Sequence, residues 1–413
     1  MAFRKILFSA AILLVTTAAF VFYFYHQPVA SYAQVPLMDA NQYLKSYHYF
    51  KGDTAFYQVI FPINARILVP WLATLIPATD ADCAFQILNL VFSLLSVGIL
   101  LRLWQQMKFG YELIFIGFFW LLFHWTGLIR LNAFDPVTVD VPLYLFQTLF
   151  LWIVLRRQWV HLWWLAPLAT IQKESFPALL IVLLLYGWLY NRYTKTRTFP
   201  VWPLAMCLVL AAISKAVVNY YFPPVKPGNS LITILFFIKE SLIDPFRLVR
   251  WIAGVFVAFG GWLLLVLWQW TSTGAFAKLK NTLLTKPRQW PVFKNTTTDL
   301  LLLFSVTYLG LSLLAGGDFT RIVFLGFPFV MTYILLVIRQ CSQKLRIAAG
   351  LLSLPLMRLT EIIPDPAADW TAFINWYPEF ATWPVVCQLW VYGVVVFMVF
   401  WLLKKYGIRR NNA

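Results

Sequence analysis

The sequence predicts an all-α integral membrane protein that crosses the bilayer about twelve times, and three observations predict it: composition, the recurrence of long apolar runs, and an uneven division of charge between their ends. Hydrophobic residues make up 61% of the 413 positions and charged residues 12%, and the mean hydropathy is +0.73. A chain of this size in water needs more polar surface than that to cover itself.

Apolar runs fall at 6–25, 84–104, 111–129, 137–155, 159–171, 176–190, 201–218, 251–270, 299–315, 320–338, 347–357 and 386–403. A crossing helix needs roughly 20 apolar residues, so the runs at 159–171, 176–190 and 347–357 are short for a full span. No internal repeat is visible and no soluble module interrupts the pattern. One membrane-embedded domain over 1–413 is expected, with 26–83 as a first large loop carrying juxtamembrane helices at 40–50 and 64–77.

Most of the 33 Lys and Arg collect at one set of run ends, in turns such as Arg156-Arg157 and Lys404-Lys405, with only Glu112 and Asp299 beside them. Retention of basic residues on the cytoplasmic side makes that set cytoplasmic, both termini included, and leaves nearly every carboxylate facing outward from a plasma (inner) membrane. The net charge of +17 then reflects short juxtamembrane turns that meet anionic headgroups, so membrane lipids are the expected partners and nucleic acid is not. Phe3-Arg4-Lys5 ahead of the first run, with Ser31-Tyr32-Ala33 after it, resembles a signal peptide, but the run at 6–25 exceeds a usual signal core and reads as an anchor.

Cys83, Cys207, Cys341 and Cys387 lack any paired spacing; Cys83 and Cys387 both fall near outer run ends, which allows one bridge without supporting it. His26, His48, His124 and His161 lack metal-ligand spacing, so no metal site is predicted from them. Phosphate-loop, dinucleotide and serine-nucleophile motifs are absent from the sequence. No cofactor is therefore called for, a divalent metal being left open.

The chemistry-bearing residues lie in the outward segments. The first loop holds Asp39, Asp53 and Arg66; the next holds Arg130 and Asp135, with Asp140 just inside the following run; then come Lys173-Glu174 and Gly317-Asp318-Phe319-Thr320-Arg321. A charge at the centre of a span costs about 2.5–3.5 kcal/mol, so charges this close to hydrocarbon are expected to converge on one polar cavity. Each also has a plainer reading. Asp39 suits the N-cap of a helix beginning at Ala40, Arg66 suits snorkelling to headgroups, Arg130 with Asp135 or Asp140 and Lys173 with Glu174 suit structural ion pairs, and 318–321 suits a capped turn.

Together, the acidic residue soon after the first run, the juxtamembrane segments, Phe61-Pro62-Ile63-Asn64-Ala65-Arg66-Ile67-Leu68-Val69-Pro70, Lys173-Glu174 and the 317–321 segment resemble the GT-C superfamily of multi-spanning glycosyltransferases, and poorly characterised bacterial members in particular. The resemblance covers most of the chain in topology and about a fifth of it in motifs. It departs from protein mannosyltransferases and lipid A aminoarabinose transferases, because Asp39 is followed by Ala40 rather than a second acid. It departs from oligosaccharyltransferases in having neither a soluble C-terminal domain nor a W-W-D motif.

The resemblance implies transfer of a sugar from a polyprenyl-phosphate donor to an extracytoplasmic glycan, lipid or protein acceptor, with inversion. Asp39 would act as base, with Asp53 or Asp135 orienting the acceptor, while Arg66, Arg321 and Lys173 grip the donor phosphate. Arg130, Asp140, Glu174 and Asp318 complete the expected substrate-binding set. Tyr43, Tyr47, Tyr49, Trp370, Trp376 and Tyr377 offer sugar-stacking faces or an interfacial belt. The rival readings are a transporter or flippase of a lipid-linked sugar, which would use broken helices and mid-span charge such as Lys215, and a polysaccharide polymerase sharing the same outward site.

Overall fold

The computed structural model describes residues 2–35, 38–272, 296–314 and 319–409. The elements in chain order are α1 (Ala2–His26), α2 (Ala40–Lys51), α3 (Leu68–Thr74), α4 (Ala81–Gln106), α5 (Tyr111–Phe123), α6 (Arg130–Phe134), α7 (Asp140–Arg156), α8 (Leu162–Gln172) and α9 (Phe176–Thr194). There follow α10 (Val201–Tyr221), α11 (Ser230–Ile243), α12 (Pro245–Ser272), α13 (Thr296–Leu314), α14 (Phe319–Leu325), α15 (Phe327–Ile338), α16 (Gln343–Met357), α17 (Trp370–Trp376) and α18 (Trp383–Arg409). Among the described residues there is no strand.

The protein is an all-helical, multi-pass membrane protein. Among the described residues six helices are long and apolar enough to cross a bilayer (α1, α4, α10, α12, α13 and α18), and the bent pair α14–α15 makes a seventh if counted as one span. Their burial separates centre from rim: 72% of the most apolar stretch of α12 is buried, against 22% for α1 and 17% for α18. Helices that are apolar all round yet exposed on most faces require lipid as their solvent. The shorter α7 and α15 are buried on nearly every face and form the middle of the bundle with α12.

Two interruptions shape the centre. At Gly260 (φ +55°, ψ −144°) the α12 helix breaks, in a backbone region open in practice only to glycine. The amide of Gly261, which would donate to Val257, donates instead to Ser353 Oγ at 2.8 Å. The stranded carbonyls of Val257 and Ala258 accept from His124 Nε2 at 3.0 Å and Trp120 Nε1 at 2.7 Å. His124 Nδ1 accepts from the Thr126 amide at 3.2 Å, which fixes the neutral Nε2–H tautomer. The second interruption is a 68° bend between α14 and α15, at Gly326 ahead of Pro328. It turns the short α14 away from the axis of α15 and over the ends of α7 and α13.

The segments at 27–80 and 358–382 contribute to a layer on one end of the bundle. Ala40, Tyr43, Ser46 and Tyr47 make the buried stripe of α2, and Gly52 (φ +89°) closes its C-terminus in the left-handed conformation. Gln27 and Ile363 exchange two hydrogen bonds (2.9 and 3.1 Å), and Ser31 Oγ donates to Asp365 at 2.5 Å, tying the 361–369 segment across the first loop. All four cysteines are free thiols, so the Cys83–Cys387 option is not realised.

Candidate functional site

Six charged side chains from five separate stretches of chain meet at the α2 end of this layer and alternate in sign. Arg66 forks onto Glu174, Nε to Oε2 at 2.8 Å and Nη2 to Oε1 at 2.5 Å. Its Nη1 donates to the Tyr43 hydroxyl at 2.7 Å and lies 3.9 Å from Asp39 Oδ2. The same Asp39 oxygen is 3.8 Å from Arg321 Nη2. Arg321 Nε lies 3.4 Å from Asp140 Oδ2, and Asp140 Oδ1 accepts from Lys173 Nζ at 2.6 Å. The order Glu174, Arg66, Asp39, Arg321, Asp140, Lys173 is thus a chain of three acids and three bases with no net charge.

Local structure explains each placement. Arg66 follows the tight turn Ile63–Ala65, which is anchored because Asn64 Nδ2 donates to the Phe222 carbonyl at 2.9 Å and to Asn219 at 3.0 Å. Asp140 opens α7, where a carboxylate meets the positive end of the helix dipole. Lys173 leaves α8 in an extended conformation (φ −158°), sending it and Glu174 to opposite partners. Arg321 rides on α14, which the bend at Gly326 tips towards α7.

The members differ in how tightly they are held. Asp39 is 41% exposed, whereas the side chains of Arg66, Asp140 and Lys173 are 12% exposed or less. Of the three acids in the chain, Asp39 is the one that stands beyond hydrogen-bond length from its neighbouring cations. Burial would raise the Glu174 pKa, but the Arg66 guanidinium, a backbone hydrogen bond and Lys173 together outweigh it and hold the carboxyl at about 2. Burial likewise disfavours the Arg66 cation, and Glu174, Tyr43 and Asp39 together more than offset it, keeping its pKa well above the ordinary arginine value. Among the described residues no group of three or more His, Cys, Asp or Glu is disposed to hold a metal ion.

Beside this chain lies a fourth acid. Asp135 is buried and accepts from the Tyr32 hydroxyl at 2.8 Å, while the Val137 amide donates to that hydroxyl at 3.2 Å. Burial pushes the Asp135 carboxyl up to about 7, Arg321 only partly opposing it.

Of the residues expected from sequence, Asp39, Arg66, Asp140, Lys173, Glu174 and Arg321 are brought together and Asp135 adjoins them through Arg321. Asp53 is not. It pairs with His48 at 2.8 Å in water at the far end of α2, about 18 Å of helix away. Arg130 is not either: its guanidinium donates to the backbone carbonyls of Met357 (2.8 Å), Glu361 (2.7 Å) and Phe123 (3.2 Å) and lies over Tyr23, a cross-brace rather than a substrate contact. Asp318 lies outside the described residues.

The plainer readings of Asp39 and Arg66 also fail, since Asp39 stands at the cap position without making the cap hydrogen bond and Arg66 is buried away from headgroups. Tyr43, Tyr47, Trp376 and Tyr377 are buried and have no face open to a sugar; Trp370 remains exposed. Sequence reasoning missed Tyr32, whose hydroxyl nothing in the local pattern marks, and it valued Tyr43 for its ring when its hydroxyl is what engages Arg66.

Comparison of the chain with protein-family models, with curated proteins and with solved structures returns no match. The reading of this site therefore rests on its geometry.

Proposed function

We propose that the protein is a membrane glycosyltransferase of the GT-C kind, which moves a sugar from a polyprenyl-phosphate donor to an acceptor hydroxyl on the outward side. The observation that carries this reading is the position of Asp39, a solvent-reachable carboxylate set 3.8–3.9 Å from two guanidiniums. Two arginines bracketing one anionic group at that spacing also suit a phosphate, towards which Arg66 presents Nη1 and Arg321 presents Nη2.

In this reading the donor phosphate takes the place of Asp39 between Arg66 and Arg321, and Asp39 swings towards the acceptor. The acceptor oxygen attacks the anomeric carbon as Asp39 removes its proton, and the sugar–phosphate bond breaks with its electron pair going to the phosphate oxygen. Arg66, Arg321 and Lys173 stabilise the charge that develops there. Glu174 and Asp140 keep those cations ordered when the site is empty. The reading includes twelve crossings, the shorter α5, α7, α8, α9 and α16 among them, with both termini cytoplasmic.

The break in α12 and the bend at α14–α15 favour a carrier of lipid-linked sugars as the second reading, because such proteins place substrates at broken helices. Against it, the backbone groups freed at Gly260 are already bound by Ser353, His124 and Trp120. The test is reconstitution in vesicles with a panel of radiolabelled polyprenyl-phosphate sugars and a cell-envelope acceptor fraction. Label appearing in acceptor, and lost in Asp39→Asn, supports transfer. Label crossing the bilayer still attached to lipid, with no acceptor labelled, overturns it.

A further inference from the structure

A groove of about 890 Å³ runs between α1 and α7 over the outer face of α4, at the end of the bundle opposite the charged cluster. Its floor extends along α4 from Leu94 to Arg102, about 12 Å of helix and so close to one leaflet of a hydrocarbon core roughly 30 Å thick. The α1 wall is Leu13, Leu14 and Thr17, and Thr17 Oγ1 is bound to its own helix carbonyl at 3.1 Å. The lining is otherwise apolar up to the rim.

The rim is cationic. Arg102 and Arg156 both set their guanidiniums against one indole, Trp152, at 5.8 and 5.6 Å from its ring. Among the described residues neither is paired with a carboxylate; Arg156 donates only to Gln106 Oε1 at 3.1 Å. This differs from the charged cluster, where every cation has an acid beside it. Gly98 lies in the floor, and a Cβ there would meet nothing within 4 Å, so the missing side chain is empty depth rather than close helix packing.

We propose that this groove is a binding site for one anionic glycerophospholipid of the leaflet at the basic end, its phosphate held by Arg102 and Arg156 and one acyl chain lying over Gly98. Basic pockets between membrane helices select anionic headgroups by charge, and hydrocarbon depth matched to a leaflet selects the tail. Trp152 fixes both guanidiniums at the depth of the headgroup and lowers the entropy lost when they close on phosphate. The proposal is independent of the chemistry assigned to the opposite end.

The experiment is native mass spectrometry of the protein released from nanodiscs containing equal phosphatidylglycerol and phosphatidylcholine. The wild type should retain one phosphatidylglycerol at least tenfold over phosphatidylcholine. Arg102→Gln/Arg156→Gln should abolish that preference by removing the headgroup contacts, and Gly98→Phe should abolish it by filling the tail position with both arginines intact. Should Gly98→Phe fail to fold, Gly98→Leu serves the same purpose. Equal retention of the two lipids by the wild type, or undiminished preference in the double arginine variant, overturns the proposal. So does a wild-type dimer that Gly98→Phe splits, which would make the groove an interface between copies.

Discussion

Arg66 and Glu174, 108 positions apart, are joined by a two-point fork of 2.8 and 2.5 Å. Arg66 is buried and Glu174 is partly so, and each holds the other charged. The fork uses the arginine's Nε and Nη2, leaving Nη1 to face Tyr43 and Asp39. Arg66 is thus committed to the scaffold on one side and available to a substrate on the other, whereas Arg321 stands at longer range from Asp140 and Asp39, 3.4 and 3.8 Å.

The two arginines should therefore respond differently to substitution by lysine. Arg66→Lys replaces the fork by a point charge and should lower both thermal stability and activity, the latter on the order of tenfold or more. Arg321→Lys should lower activity with little change in melting temperature. Glu174→Gln leaves the Arg66 charge buried without its partner and should cost roughly 3–5 kcal/mol. Melting curves in detergent, measured beside transfer rates, separate these outcomes; equal behaviour of the two lysine variants would refute the division of roles.

Asp135 and Glu174 give stability opposite pH dependences. Asp135 has a native pKa raised to about 7 from an ordinary 3.8. The proton is thus held by the folded state when the unfolded state has released it, and the contribution is full below about pH 4 and is lost as pH rises through 7. Glu174, depressed to about 2 from 4.5, contributes fully above 4.5 and loses it as pH falls towards 2. Asp135→Asn should flatten the decline between pH 4 and 7, worth on the order of a few kcal/mol, and leave the acid limb unchanged. An unaltered decline would show that Asp135 is ionised in the native protein.

The interruption of α12 predicts a chemical cost at one hydroxyl. Ser353→Ala leaves the Gly261 amide without an acceptor inside the bundle, a loss of about 1–3 kcal/mol. Gly260→Ala should cost at least as much, because φ is +55° and the new methyl would stand 2.9 Å from Ser353 Oγ. Denaturation in detergent checks both; a wild-type melting temperature for Gly260→Ala would mean the helix is continuous.

The division of basic and acidic residues between the two ends predicts sidedness. Reporter fusions after Arg192 should read cytoplasmic and fusions after Asp53 should read external. An external signal at Arg192 would reverse the assignment of the charged cluster to the outward face.

Why the sequence revealed some of this and not the rest follows from what each residue costs. Asp39, Arg66, Asp140, Lys173, Glu174 and Arg321 sit close to hydrocarbon, where an unpaired charge is expensive, and that cost alone requires them to meet. Asp53 carries the same charge but lies in a water-facing turn, where nothing constrains its partner. Arg130 is satisfied by main-chain carbonyls of Met357 and Glu361, acceptors that every residue has and no sequence distinguishes. The helix break was hidden for a similar reason. Residues 255–266 read as an uninterrupted apolar run, and hydropathy carries no record of the φ angle at Gly260.

The assignment of Asp39 as base is the most exposed to test. It occupies the position before α2 where an aspartate ordinarily caps the helix, yet its side chain makes no cap hydrogen bond and stands instead between Arg66 and Arg321. Asn is nearly as good a cap as Asp, so a capping residue would accept the change without loss. A base would not: Asp39→Asn keeps the shape but cannot take up the acceptor proton, and turnover should fall roughly 10²- to 10⁴-fold. Stability should change little, because Glu174 and Asp140 still neutralise the arginines. Affinity for the lipid phosphate should hold or rise, since the neutral amide competes less for the guanidiniums that the phosphate must claim. Measuring donor binding, transfer and melting temperature on Asp39→Asn and Asp39→Ala separates the three roles. Full transfer activity in a stable Asp39→Asn protein would remove Asp39 as the base and leave Asp135, with its Tyr32 partner and its pKa near 7, as the acid to examine next.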